Sequence, residues 1–90
     1  MVKDGDYVAI FNSVHRVMKA EKLLKGARLP MLLIPAPRAL TSDCGLAIRY
    51  TATDREPVEE ALRMAGLMPE EVYVKRGEEF IPCGEAGQQG

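Results

Sequence analysis

The sequence predicts a single α+β domain in which two helices cover one face of a four-stranded antiparallel sheet. Three observations lead there. Four short segments alternate or run apolar in the manner of strands. Two longer segments repeat apolar residues at helical spacing, between a capping residue and a glycine. The resulting order, β-α-β-β-α-β within about 70 residues, leaves room only for short connections.

Tyr7–Phe11 alternates bulky and β-branched residues and stops at Asn12-Ser13, which reads as the first strand. Ser13 is a side-chain acceptor suited to cap a helix from Val14 to about Lys25. Val14, Val17, Met18, Ala20, Leu23 and Leu24 form its expected buried stripe, and Gly26 its stop. Met31–Ile34 is a short apolar run closed by Pro35 and Pro37, prolines that a central strand would not tolerate. Pro35–Gly45 is irregular by composition, and Leu46–Thr51 resumes strand character. Asp54 caps a second helix through about Ala65, with Pro57, Glu59 and Glu60 near its start and Gly66 after its end. Met64 and Met68 read as core or rim packing. Glu71–Lys75 is the fourth strand. The domain is expected to span residues 1–76, with 77–90 a mobile tail that has little to bury.

This order fits a ferredoxin-like βαββαβ sandwich, although another pairing of the same elements or a swapped dimer also satisfies it. In that sandwich the second strand ends where the first helix begins. The Pro35–Gly45 loop is therefore expected near Asn12, Ser13 and His15.

Composition narrows the function classes. Twelve basic against thirteen acidic residues give a net charge of −1, which offers no general attraction to nucleic acid or to an anionic membrane. The apolar stretch Leu29–Ala36 is far too short to span a bilayer. Residues Met1–Asp6 turn acidic before any apolar run develops, so a cytoplasmic location is expected. Dimerisation would add stability to so short a chain, which makes a homodimer one expected partner.

Two cysteines far apart in a neutral chain read as free thiols rather than a disulfide framework. No spacing suits a metal site, and no cofactor motif is present. Cys44 is the suggestive one. It lies in a loop, with Arg38 and Arg49 close in sequence and a helix start expected at the same end, all of which favour thiolate. Asp43 opposes that. Two readings stay open: a reactive thiol, or a small residue packed under a turn. His15 is available as an accessory base, or is a solvated residue at a helix start. Cys83 is either a resolving thiol or incidental; it is expected past the fourth strand, at the opposite end from the loop. Pro35-Ala36-Pro37-Arg38 either presents a guanidinium to an anion or forms a rigid turn with a solvated Arg.

Several stretches together resemble a known family. Tyr7-Val8-Ala9-Ile10-Phe11, Ala20-Glu21-Lys22-Leu23-Leu24-Lys25, Ile34-Pro35-Ala36-Pro37-Arg38 and Ser42-Asp43-Cys44-Gly45-Leu46-Ala47-Ile48-Arg49 are similar to the selenium/sulfur carrier-like family of small bacterial proteins. The resemblance runs from Asp6 to Lys75. It implies that Cys44, in the Cys-Gly motif, carries sulfur or selenium as a persulfide or selenosulfide. Arg38, in the Pro-x-Pro-Arg motif, would stabilise the charged adduct or dock a donor. Pro37, Ser42 and Gly45 fall in the same matching pieces as binding positions. Donor and acceptor proteins would be the partners, and the chain a carrier rather than a turnover enzyme. The alternatives are a small-anion-binding or regulatory module without thiol chemistry, and a purely structural domain.

Overall fold

The computed structural model describes residues 2–40 and 45–83. Strands β1 (Tyr7–Ile10), β2 (Leu32–Pro35), β3 (Leu46–Tyr50), β4 (Glu71–Arg76) and β5 (Glu79–Pro82) form one sheet. Their order is β2-β3-β1-β4-β5, and every neighbouring pair is antiparallel. Helix α1 (Val14–Gly26) joins β1 to β2. Helix α2 (Arg55–Met64), entered through a 3₁₀ turn at Ala52–Asp54, joins β3 to β4.

The expected count of four strands is corrected to five. Residues 79–82, expected in the tail, return beside β4 with Arg76 facing Glu79 and Tyr73 facing Pro82. Gly77 makes this possible. It takes φ +62 at the first central position of a two-residue turn, where a side chain would be strained. The strand escapes a sequence reading because it starts on acidic residues, ends on proline and is largely exposed.

Period-two alternation sends each strand's residues to two faces. On one face Ala9, Ile48, Tyr50 and Val72 pack with Val17, Ala20 and Leu24 of α1 and with Val58 and Leu62 of α2. On the other, Val8, Ile10, Ile34 and Ala47 are covered by Leu40, with Val2, Ala36, Tyr73 and Phe80 around them. Two members of the expected α1 stripe do not join the core: Val14 is 49% exposed and Met18 42%. Met64, expected at the core or rim, is 76% exposed.

The two helices end alike on different residues. After α2, Leu67 N–H reaches Leu62 O at 2.9 Å and Gly66 takes φ +71, as expected of a glycine stop. After α1 the same pattern closes with Leu29 N–H on Leu24 O at 2.9 Å, but the left-handed residue is Arg28, φ +60. Gly26, the expected stop, is the last helical residue. At the other end of α2, Asp54 does not cap with its side chain; that carboxylate accepts from Thr51 Oγ1 at 3.0 Å.

Both sheet edges are blunted by proline. Ala36 N–H donates inward to Gly45 O, so by alternation Leu33 and Pro35 are the β2 residues that turn their backbone outward. Cys83 N–H donates inward to Val72 O, so Phe80 and Pro82 do the same on β5. Each edge thereby loses one outward donor, which works against strand addition.

Candidate functional site

The loop between β2 and β3 begins and ends at one end of the sheet. Pro35 faces Leu46, and Ala36 N–H bonds Gly45 O at 2.9 Å. Ala47 is the partner of Ile10, so Gly45 lies on the side of Phe11, Asn12 and the start of α1, as the topology predicts. Ser13 caps that helix, its Oγ accepting from Arg16 N–H at 3.1 Å. Gly45 is exposed at φ +74, a backbone setting that glycine adopts without strain as the chain re-enters the sheet.

Pro37 opens a turn closed by Leu40 N–H on Pro37 O at 2.9 Å. That turn drops Leu40, 8% exposed, into the cluster on the helix-free face. Leu46 leaves the loop toward the helix-side core instead. The loop thus has one foot on each face of the sheet. Arg38 sits at the turn, exposed and without a hydrogen bond or ion pair among the described residues. Ser42 and Cys44 lie outside the described residues.

Two of the remaining candidates, Arg49 and Cys83, are placed differently from expectation, and His15 lies where it was expected. Arg49 is not beside the loop. β3 carries it away, and its Nη1 donates to Asp6 Oδ2 at 3.3 Å at the opposite end of the sheet. Cys83 is not at that opposite end, because β5 runs back and sets it level with Val72. It is still three strands from β3, about 14 Å by strand spacing. Burial pushes its thiol above the ordinary range, Arg55 pulls down and Glu59 adds to the rise. His15 is exposed in the first turn of α1, with no side-chain partner among the described residues.

The sequence reading missed a small open cavity at the loop end. Phe11, Asn12, Arg16, Met68 and Glu70 line about 170 Å³. Arg16 is held there by donating to Gly66 O at 3.3 Å and Met68 O at 3.4 Å, carbonyls of the link after α2. Only the tertiary approach of that link to α1 makes the cavity, so no local pattern announces it.

A second polar cluster, also unforeseen, ties α2 to the sheet at the far end. Glu59 Oε2 accepts from Tyr50 Oη at 2.7 Å and from Arg55 Nε at 3.1 Å. Arg55 Nη1 donates to Tyr7 Oη at 3.2 Å and its guanidinium lies 4.5 Å from the Tyr7 ring centre. Tyr7 and Tyr50 stack at 5.9 Å. Burial, then the Glu59 charge, drives the Tyr50 hydroxyl far above the ordinary tyrosine range.

Residues 6–74 match the family described as "Putative Se/S carrier protein-like". The chain belongs to this family. Among curated proteins and solved structures, nothing matches. The carrier-like match takes in both helices, the first three strands, most of β4 and the whole Pro35–Gly45 loop, whereas β5 and Cys83 fall outside it. Among the described residues, no helix of this carrier-like domain is long and apolar enough to cross a membrane.

Proposed function

We propose that this chain carries sulfur or selenium on Cys44 and passes it between a donor and an acceptor protein. The observation that carries the reading is the family match across residues 6–74, which contains the Cys-Gly and Pro-x-Pro-Arg motifs. The surroundings agree with it. The loop is anchored at an end of the sheet where Arg38 is exposed and has no described partner, and the chain's other thiol lies outside the matched span.

The chemistry is a pair of exchanges. Cys44 thiolate attacks the outer sulfur of a donor persulfide. The donor's S–S bond breaks, a new S–S bond forms on Cys44, and the donor leaves as thiolate. An acceptor thiolate then attacks the same outer sulfur and Cys44 returns as thiolate. No net oxidation occurs and no further reactant is consumed. Selenium would follow the same route as a selenosulfide. Arg38 is assigned to stabilise the anionic adduct or dock the donor, Pro37 stiffens the turn beside it, and Gly45 lets a partner approach the backbone closely. Ser42 supplies a hydroxyl in the same loop. His15 and Cys83 have accessory roles at most. A cytoplasmic, reducing setting suits such a carrier.

The test is incubation with a cysteine desulfurase and cysteine, read by intact mass. The expected product gains one sulfur atom in the wild type, retains none in Cys44→Ser, and loads more slowly in Arg38→Ala. A wild type that gains no sulfur contradicts the reading. Arg38, exposed and without a partner among the described residues, favours one rival, a small-anion-binding module. That rival predicts thermal stabilisation by an anion that survives Cys44→Ser and disappears in Arg38→Ala.

A further inference from the structure

We propose that the helical layer of this domain is a self-association surface, on which α1 of one copy lies antiparallel to α2 of a second. This goes beyond the carrier reading and does not depend on it.

The surfaces left for association are few. Proline blunts both sheet edges, and Leu40 with its neighbours covers the helix-free face. Of the five large apolar residues exposed among the described residues, Val14, Met18 and Met64 lie on the two helices. They are not scattered. On α1 the exposed residues Val14, Met18 and Lys22 follow at four-residue steps, an outward stripe running apolar, apolar, cationic away from the loop end. On α2 the exposed residues Met64, Glu60 and Glu56 make the equivalent stripe, apolar then anionic then anionic from the same end.

The helices run in opposite directions because α1 leaves the end of β1 and α2 leaves the end of β3, its antiparallel neighbour. A two-fold axis parallel to both helices and midway between them therefore sets each α1 over the other copy's α2, with loop ends together. Val14 and Met18 then meet Met64, and Lys22 meets Glu60 and Glu56. The contact is isologous, so it closes at two copies. Lys19 and Lys25 add positive charge to the α1 side, although Lys25 is already paired with Glu21 at 3.1 Å. Glu60 pairs with Arg63 of its own helix, which leaves Glu56 as the acid of the stripe without a partner among the described residues. A face made by helices of 13 and 10 residues measures about 20 Å by 20 Å. Each copy would bury on the order of 500 Å², the range of weak interfaces, so exchange between monomer and dimer is expected at micromolar concentrations or above.

Sedimentation equilibrium from micromolar to millimolar protein, in reducing buffer, tests this. The wild type is expected to pass reversibly from monomer to dimer and to dissociate as salt rises. Lys22→Glu alone, and Glu56→Lys with Glu60→Lys, are each expected to weaken the dimer at least tenfold. An equimolar mixture of the two restores it, because both halves of the mixed dimer then pair opposite charges. Far-UV circular dichroism checks that both variants fold, and the salt titration needs no substitution. A wild type that stays monomeric, a dimer indifferent to salt or to charge reversal, or a mixture that fails to reassociate would each overturn the proposal.

Discussion

At the end of the sheet where β1 starts and β3 finishes, the polar side chains are spent on one another. Glu59 accepts two hydrogen bonds, Arg55 donates to Glu59 and Tyr7, and Asp6 takes both Arg49 and the Lys3 N–H, the latter at 2.9 Å. At the opposite end Asn12, His15, Arg38 and Glu70 make no side-chain hydrogen bond among the described residues, and a small cavity opens between α1 and the link after α2. The difference teaches where chemistry has room. An internally bonded cluster fixes α2 on the sheet and turns most of its polar groups inward. The open end has given up that stabilisation and keeps its groups available beside the Pro35–Gly45 loop.

If this contrast holds, substitutions at the closed end cost stability and leave sulfur loading alone. The largest effect is expected from Asp6→Ala. Asp6 is 7% exposed, and Arg49 already buries an Nε without a partner, so removing the carboxylate strands the guanidinium. A loss of about 2–4 kcal/mol in urea unfolding is expected. Leu40→Ala comes next, at about 2 kcal/mol, because it uncovers the helix-free face. It also loosens the loop, so it is the one variant expected to slow loading as well as weaken the fold.

Tyr50→Phe is expected to cost about 1.5 kcal/mol at neutral pH, the low end of the worth of a bond to a carboxylate. The sign reverses in alkali. The native hydroxyl keeps its proton far above 10.0, the ordinary value at which the unfolded chain releases it. Wild-type stability is therefore full below that value and falls as pH rises beyond it, whereas the Phe variant escapes this loss. Thermal melts across the alkaline range would show the two curves converging. The smallest change is a gain: Arg28→Gly relieves a left-handed residue and should add about 0.5–1 kcal/mol. At the open end, Arg38→Ala should leave the melting temperature unmoved.

Much of the scaffold was legible because local signals and tertiary demands agree in it. Tyr7–Ile10 alternates, Ser13 caps, Gly66 stops α2, and β4 alternates as expected. The failures share a cause. Pro35 belongs to β2 because an edge strand tolerates an outward residue without an N–H, and only the sheet order reveals the edge. Met18 has the helical spacing of a core residue but is 42% exposed. Arg49 is close to the loop in sequence, but β3 advances about 3.3 Å per residue and carries it to the Asp6 end of the sheet. For the site, topology was enough to place the loop at the α1 end. It could not foresee that Leu40 anchors the loop on the opposite face.

Cys83 sharpens the contrast between the chain's two thiols. Its raised pKa predicts slower alkylation at neutral pH than a free cysteine shows, with the pH profile displaced upward. The most direct measurement of the central claim is therefore site-resolved. Wild-type protein is loaded by a desulfurase, sulfane sulfur is trapped by alkylation, and the modified cysteine is located by peptide mass. The account predicts trapped sulfur on Cys44, with loading unchanged in Cys83→Ser and in Tyr50→Phe. Sulfur found on Cys83, or on neither cysteine, would contradict it.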